Sequence, residues 1–273
     1  MRDYLVFVRA GAASLHRQSI EDDPRRNWDC CVSWYTEPPP AESLAELYDH
    51  RGANKYDAFA EVFHDALSST PYRYVLLLDD DVRFRPGDIS RFFDICNRER
   101  LDLCQPALAW GTHSTFNVTL WNPACSVRQV GFVEVMAPCF SRATLKQLLP
   151  TFRLTRSTWG IDHAWASLLA GQDRMAIVDA VRVHHTKPVD LQNGAFYRLM
   201  RSLGVDPHAD LRHVLERYPY VQHGTLDVLH RYRWSLPQRL NRALMWLFER
   251  HKKRWHRARY RSQHARARAS PLL

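Results

Sequence analysis

The sequence predicts an α/β fold with a mainly parallel sheet flanked by helices and followed by a helical C-terminal extension. Three observations support this class. Short β-branched and aromatic runs alternate with segments of helical period in the first half of the chain, as in parallel sheets covered on both faces. An acidic cluster, Asp79 to Asp81, directly follows one apolar run, where open α/β sheets bind their ligands. Beyond Pro188 the pattern becomes polar and mostly helical.

Strand and helix candidates follow one another through the first half of the chain. Apolar residues recur at helical spacing between Tyr56 and Leu67, which predicts a helix that leads into the next strand. The predicted strands are Tyr4 to Val8, Trp28 to Tyr35, Tyr74 to Leu78 and Leu103 to Ala107, and a second helix is predicted over Ile89 to Arg98.

The second half of the chain has longer loops and shorter elements. The stretch before Val133 is rich in Thr, Asn and aromatic residues, which indicates hairpins or long loops. We predict one α/β domain over residues 1–190, which is large enough for an enzyme. A helical extension is predicted over residues 191–273, with a long helix from Pro237 onward. The remaining predicted elements are strands over Val133 to Met136, Met175 to Val178 and Val181 to Val183, and helices over Arg142 to Leu149 and after Trp159.

The basic charge of the chain is concentrated in its C-terminal tail. From Arg250 to Leu273 there are nine Lys or Arg and no acidic residue, which leaves 29 basic residues against 29 acidic ones in the rest. The neutral body contains no recognisable nucleic-acid module, so we expect no nucleic-acid partner, although binding through the tail is the non-enzyme alternative. Leu244, Leu247 and Phe248 form an apolar stripe ahead of the basic residues, which predicts an amphipathic helix on an anionic membrane surface; a solvated terminal helix is the alternative.

Cysteine usage and the N-terminus predict a cytoplasmic protein. The six cysteines show no C-x-x-C pair, and no signal-peptide pattern opens the sequence, so we expect buried, reduced thiols. No apolar run is long enough to cross a bilayer. Membrane contact is therefore expected only as peripheral attachment to the inner face through the tail, which we expect to affect location and not turnover.

Three consecutive carboxylates at a strand end repel one another, so we expect a positive charge nearby that offsets the repulsion. In an extended chain, residues i and i+2 point the same way, so Asp79 and Asp81 are predicted to face one divalent cation while Asp80 faces the other side. Oxygen ligands of this kind suit Mg²⁺ or Mn²⁺, with phosphates completing the shell. The alternative is a solvated turn with a helix-capping role.

Four segments, in order along the chain, resemble the motifs of GT-A glycosyltransferases. Tyr74 to Val82 is similar to the Asp-x-Asp segment, and Gly52, Lys55 and Ala58 resemble a donor-side G-x-K-x-x-A element with altered spacing. Trp159 to Asp162 is similar to the late acidic motif, and Val183 to Pro188 to the C-terminal His element. The resemblance covers Tyr4 to Val189 and is closest to a poorly characterised family of glycosyltransferases with Trp-Gly-x-Asp and His-x-x-x-Pro signatures.

The resemblance implies a GT-A fold and a metal-dependent, inverting transfer of sugar from a nucleotide-sugar donor to a glycan or glycolipid acceptor, in surface polysaccharide or glycolipid synthesis. It implies Mn²⁺ or Mg²⁺ as cofactor. His184 is preferred to His185 as the metal ligand because of its spacing to Pro188. The implied donor-binding residues are Lys55, Asp79, Asp80 and Lys187, and the implied metal ligands are Asp79, Asp81, His184 and His185.

Two carboxyl groups are candidates for the catalytic base. Asp162 follows Gly160, and a positioned carboxylate can remove the proton of an acceptor hydroxyl as it attacks. Asp162 also stands where a helix N-cap is expected. Glu134 interrupts an apolar run and is the rival base, or a ligand for an acceptor hydroxyl.

Two further interpretations stay open at this point. The aromatic and polar residues between Trp110 and Arg128 are expected either to line an acceptor groove or to pack in the core. The alternative enzymatic function is a metal-dependent nucleotidyltransferase. That function requires a Gly-rich loop near the N-terminus to bind phosphate, and only Gly11 is available there.

Overall fold

The computed structural model describes most of the chain and positions the acidic cluster at an edge of one large sheet. The described residues are 2–20, 25–37, 39, 41, 44–49, 54–63, 72–171, 175–190, 192, 194–219, 224–231, 247, 251–252, 254–255 and 258. Gly52, Leu244, Phe248 and most of the predicted long C-terminal helix lie outside them.

The described residues form ten strands. The strands are β1 Tyr4–Ala10, β2 Trp28–Trp34, β3 Glu46–Asp49, β4 Tyr74–Asp79, β5 Val82–Arg83, β6 Leu103–Leu108, β7 Cys125–Val130, β8 Cys139–Ser141, β9 Met175–His185 and β10 Thr225–Arg231. Nine of them follow one path in the order β10-β7-β9-β6-β8-β4-β1-β2-β3, and β5 pairs with the end of β9. The β3-β2-β1-β4 half is parallel, whereas β8 runs antiparallel to β4 and β6.

Six α-helices of the described part of the chain accompany the sheet. They are α1 Lys55–Phe63, α2 Asp88–Glu99, α3 Arg142–Leu148, α4 Ile161–Leu168, α5 Ala195–Ser202 and α6 Pro207–Arg217. Side chains of β1 alternate between two cores, with Val6 in the core that contains α2 and Phe7 in the core that contains α1, α3 and α4. A strand that is buried on both faces has apolar residues at every position, as β1 and the apolar part of β4 do.

Periodicity located most of the elements that build this layered fold. The strands predicted at Tyr4, Trp28, Tyr74 and Leu103 are confirmed as β1, β2, β4 and β6, and the two helices predicted in the first half are confirmed as α1 and α2. The fold is the α/β class that the sequence predicts. β10, which the sequence analysis did not predict, pairs with β7 and continues the sheet within the predicted C-terminal extension.

One strand prediction in the second half is wrong, and two predicted strands are confirmed as parts of one longer strand. Val133 to Met136 form a buried loop and not a strand. The Val135 carbonyl accepts hydrogen bonds from Lys55 Nζ and the Tyr56 hydroxyl, and the Met136 carbonyl accepts them from Lys55 Nζ and from the Asp79 amide at the end of β4. The two short strands predicted after Met175 are one strand, β9, in which the register against β6 shifts after Val178. The shift falls at Asp179, whose carboxyl group turns into the interior.

A fully buried ion pair fastens β9 to β7. Arg128 Nε lies 2.7 Å from Asp179 Oδ2, and both side chains are inaccessible to solvent. Arg128 also donates to the carbonyl of Leu120, and the Asn122 amide donates to the other oxygen of Asp179. Arg128 is therefore a core residue and does not line an acceptor groove.

Replacing Asp179 by Ala is expected to lower the free energy of unfolding by about 3–5 kcal/mol, because the guanidinium of Arg128 would stay buried without its partner. Asp88→Ala is the control, since its pair with Arg91 at 3.9 Å is partly open to solvent and surface pairs contribute about 0–1 kcal/mol. Urea unfolding of the two variants measures both values. Equal losses would contradict a structural role for the buried pair.

Part of the basic tail is packed against the body. Lys252 is fully buried and close enough for its charge to act on Asp179, and the Trp255 ring lies 5.9 Å from the ring of Trp110. Deleting the chain from Arg250 would remove these contacts. The expectation that the tail affects location and not turnover stays a prediction.

The six cysteines are buried and none of them forms a disulfide, as predicted. Cys96, Cys104 and Cys139 converge between α2, β6 and β8, with 3.3 Å between the Sγ atoms of Cys96 and Cys104. Among the described helices, none combines the length and the apolar character that crossing a membrane requires.

Candidate functional site

The acidic cluster forms a tight turn at the carboxyl end of β4. Asp79 is the last residue of the strand, and Asp80 and Asp81 form the turn into β5. The i, i+2 alternation of an extended chain therefore ends at Asp79, and the three carboxylates have different partners. Asp79 pairs with Lys55, Asp80 with Tyr35 and Gly11, and Asp81 with His185, while the prediction that Asp79 and Asp81 face one cation stays a prediction.

Asp79 is held by a buried lysine. Lys55 Nζ lies 2.7 Å from Asp79 Oδ1 and also donates to the carbonyl groups of Leu77, Val135 and Met136 at 3.4, 2.7 and 3.1 Å. An ammonium group has three donors, and here they face one carboxylate and three carbonyl oxygens. The geometry gives Lys55 a positioning role between β4 and the Val135–Met136 loop, while its contact with the donor stays a prediction.

Asp80 anchors the loop after β1. Its Oδ2 accepts hydrogen bonds from the Tyr35 hydroxyl at 2.7 Å and from the Gly11 amide at 3.1 Å. Burial raises the pKa of Asp80 to about 6, against the hydrogen bond from Tyr35 and the charge of Lys187. Gly11 is needed here because a Cβ at this position would collide with the Tyr35 ring.

Asp81 is paired with His185. The Nε2 of His185 lies 3.5 Å from Asp81 Oδ2, and its Nδ1 lies 3.2 Å from the carbonyl oxygen of His113. Burial lowers the pKa of His185, but the hydrogen bond and the charge of Asp81 outweigh it, so the pKa is raised. The interaction with the His113 carbonyl helps to fix the ring so that Nε2 faces the acidic turn.

The preference for His184 as the metal ligand is wrong. Successive side chains of a strand point to opposite faces, so His184 and His185 of β9 cannot both face Asp81. His184 pairs in register with Arg83, and its pKa is lowered by burial and by the charges of Arg83, Arg85 and Arg182. An imidazole in this cationic surrounding is a poor ligand for a cation.

The pair of Asp81 and His185 fits a divalent cation. Two ligand atoms at about 2.1 Å from one octahedral ion are about 3 Å or more apart, which agrees with the 3.5 Å between Oδ2 and Nε2. Among the described residues, the only three metal-ligating side chains whose ligand atoms all lie within 4.8 Å are Cys96, Cys104 and Cys139. Asp79 as a direct ligand therefore stays a prediction, and the site offers two protein ligands.

Asp162 and Glu134 face the same cavity from another side. Asp162 is the second residue of α4, whose N-cap is Gly160 and not Asp162 as the sequence analysis expected, and its Oδ1 accepts a hydrogen bond from the amide of His163 at 3.0 Å. Gly160 precedes it at φ +89°, in the left-handed region, and a Cβ there would press on Val214 of α6. The charge of Asp162 acts on Glu134, so the two carboxyl groups form an interacting pair.

Burial raises the pKa of both carboxyl groups toward neutral values. It raises the pKa of Asp162 to about 7, against hydrogen bonds from the backbone of His163 and Val135. Burial and the charge of Asp162 raise the pKa of Glu134 to about 8. Glu134 Oε2 is buried and has no hydrogen-bond partner within the described residues. A carboxyl group with a pKa near 7 is suited to act as a general base.

A cavity of about 660 Å³ connects the acidic turn with these carboxyl groups. The predicted residues Lys55, Asp79, Asp80, Asp81, Glu134, Asp162, His185 and Lys187 all line it, and its remaining walls include Arg9, Tyr35, Phe116, Trp159, Phe196 and Tyr197. Sequence reasoning missed Tyr35 and Arg9. The only available signal was their position at the carboxyl ends of β2 and β1, beside β4 in the sheet.

Comparison with solved structures identifies the fold. The crystal structure of GalNAc-T7 with UDP, GalNAc and Mn²⁺ matches with a TM-score of 0.56 and 11% identity, over 79% of this chain and 48% of that chain. This likeness shows that the chain has the fold of GT-A glycosyltransferases. The chain spans about half the length of the GalNAc-T7 structure.

Two crystal structures of S. aureus TarS also match, each with a TM-score of 0.45 and over 80% of this chain. One has 13% identity and is covered over 43% of its length; the other, residues 1–349 in complex with UDP, has 11% identity and is covered over 71%. No family model and no curated protein matches the sequence.

Proposed function

We propose that this protein is a metal-dependent glycosyltransferase that moves a sugar, with inversion, from a nucleotide-sugar donor to a glycan or glycolipid acceptor. One observation is central to the proposal. A single cavity is lined by the Asp81–His185 pair on one side and by Asp162 on the other. A cation-binding pair and a carboxyl group tuned toward neutral pH are the two groups that such a transfer needs.

The residues around the acidic turn are assigned to the donor. Asp81 and His185 would hold Mn²⁺ or Mg²⁺, which when bound neutralises charge on the leaving diphosphate. Lys187, which also lines the cavity, is placed to add a positive charge there. Asp80, fixed by Tyr35 and Gly11, presents its carboxylate on the β1 side of the turn, where it can accept a donor hydroxyl.

Asp162 is assigned the role of general base. The acceptor oxygen bonds to the anomeric carbon as the bond from that carbon to the diphosphate breaks, and the acceptor proton passes to Asp162. Inversion follows because attack and departure occur on opposite faces of the sugar. The buried carboxyl group of Glu134 keeps its proton up to about pH 8 and can donate a hydrogen bond to the acceptor through the unpartnered Oε2.

These assignments predict a narrow pH optimum between about 7 and 8. Activity is lost below about pH 7 as the Asp162 base gains a proton, and above about pH 8 as Glu134 loses its own. Glu134→Gln should remove the alkaline limb, because an amide donates a hydrogen bond at every pH. The measurement is kcat/KM from pH 5.5 to 9.5; an unchanged alkaline limb in Glu134→Gln would remove Glu134 from this role.

A nucleotidyltransferase is less well supported by the geometry. That activity would use backbone amides of a Gly-rich loop to hold phosphates. In this protein the amide of Gly11 donates to Asp80, and the Leu15 amide donates to the Asp80 carbonyl. These two amides of the loop after β1 therefore donate their hydrogen bonds to the acidic turn and are not available to bind a phosphate.

A thermal-shift screen tests donor binding. UDP-, GDP-, CDP- and dTDP-sugars are compared with and without Mn²⁺. One nucleotide class is expected to raise the melting temperature only with the cation, because a ligand at 100 times its Kd stabilises the native state by about 2.7 kcal/mol. A shift of the same size with EDTA would contradict metal dependence.

A further inference from the structure

The exposed apolar side chains of this protein are not evenly distributed. Among the described residues, nine large apolar side chains are exposed, and six of these are either at or near the cavity, where Tyr35 is one of them, or in the C-terminal segment. The mouth group is Val189, Leu199 and Leu203, and the segment contributes Leu247 and Trp255. Single exposed leucines are ordinary, whereas a group beside a cavity indicates a contact surface.

Helix α5 presents an apolar stripe at the mouth. Phe196, Leu199 and Leu203 have the i, i+3, i+7 spacing of one helical face, and Leu199 and Phe196 also line the cavity. Met200 is buried and holds the helix against the body, which leaves Leu199 and Leu203 exposed at 37% and 43%. The stripe therefore extends from the cavity wall to the outer surface.

Positive charge lies on another side of the same helix. Arg198 and Arg201 of α5 are exposed, and Lys187 and Asp190 line the cavity ahead of the helix. A short helix with exposed leucines on one side and arginines on another is typical of segments that lie in the interface of an anionic membrane.

The C-terminal segment is fastened to the same edge of the sheet. Trp255 packs on Trp110, two residues beyond the carboxyl end of β6. β6 and β4 are both antiparallel to β8, so their carboxyl ends lie at one edge, where the acidic turn is found. Of the basic residues in this segment that the structure describes, Lys252 is buried and Arg254, next to Trp255, is exposed at this edge.

We propose that this edge lies on an anionic phospholipid bilayer, with the α5 stripe in the interface and the exposed Arg198, Arg201 and Arg254 on the headgroups. The cavity then opens toward the membrane, which suits an acceptor sugar attached to a lipid. The choice of acceptor rests on the proposed glycosyltransferase function, whereas the membrane surface stands on the exposed residues alone. The contact of Trp255 with Trp110 holds Arg254 at this edge, so that headgroup binding orients the mouth.

Vesicle flotation tests the surface with the full chain. Phosphatidylcholine vesicles with and without phosphatidylglycerol are compared for the wild type, Leu203→Glu and Leu168→Glu. Leu168 is the matched control because it is a leucine with 41% exposure at the end of α4 away from Asp162 and does not line the cavity. Melting temperatures of all proteins are measured, and Val189→Glu replaces Leu203→Glu if that variant does not fold.

The wild type and Leu168→Glu are expected to bind only the anionic vesicles, and Leu203→Glu to bind them about tenfold more weakly. Binding should fall between about 0.1 M and about 1 M salt, where the Debye length drops from about 10 Å to about 3 Å. Equal binding of the two glutamate variants, or equal binding to neutral and anionic vesicles, would overturn the proposal. The donor thermal shift, measured without vesicles, reports separately on the glycosyltransferase function.

Discussion

Replacing Asp162 by Asn is expected to lower turnover about 10²–10⁴-fold while leaving donor affinity unchanged. Asn has the size of Asp and keeps an oxygen for the His163 amide, but it cannot take up the acceptor proton. The acidic limb of the pH profile near pH 7, which we attribute to Asp162, should disappear with the base. The measurements are kcat, donor Kd and the pH dependence of the residual activity.

Protein stability separates this catalytic role from a structural one. The folded pKa of Asp162 is raised above its ordinary value, so its ionisation destabilises the native state progressively from about pH 4 up to about pH 7. Asp162→Asn removes that cost and is expected to unfold at the same or a higher temperature above pH 7. A variant that loses stability together with turnover would point to a structural role, and near-normal turnover would transfer the role of base to Glu134.

The second large effect is expected from His185. His185→Ala should weaken Mn²⁺-dependent donor binding by about 100-fold or more, since removing even an outer-shell partner of a metal ligand costs 10–100-fold. His184→Ala is the matched control, because it is the same residue type one position earlier on β9 and belongs to the opposite face. Calorimetric titration of each variant with the donor nucleotide, with and without Mn²⁺, measures the difference.

The structure predicts that only one of these two histidines matters for the metal. Equal losses in His184→Ala and His185→Ala would mean that the strand is damaged as a whole and that the assignment is not supported. A loss in His184→Ala alone would restore the assignment that the spacing to Pro188 suggested.

The fold was predictable because its central strands are uniformly apolar. β1 and β4 are buried on both faces, and α2 has a clear apolar face, so periodicity alone located them. β3, β5 and β8 have four residues or fewer, which is too short for a periodic signal. β7 contains the buried Arg128, and only the pairing with Asp179, 51 residues later, makes that residue acceptable in a core.

The site was predictable in position and less so in detail. The acidic turn at the end of β4 and Asp162 at the start of α4 follow from local sequence, and both line the cavity. The choice between His184 and His185 depends on which face of β9 meets Asp81, and this is decided by pairing with β5. Tyr35 and Gly11 are 45 and 69 residues from Asp80, so their contacts needed the structure.

Release of nucleoside diphosphate from nucleotide-sugars tests the central claim most directly. The purified protein is incubated with UDP-, GDP-, CDP- and dTDP-sugars, with Mn²⁺ or with EDTA and with membrane lipid extract as a source of acceptors, beside Asp162→Asn and His185→Ala. The account predicts release from one nucleotide class, only with the cation, and strongly reduced release in both variants. Release that is equal in EDTA or in Asp162→Asn, or no release from any donor, would contradict it.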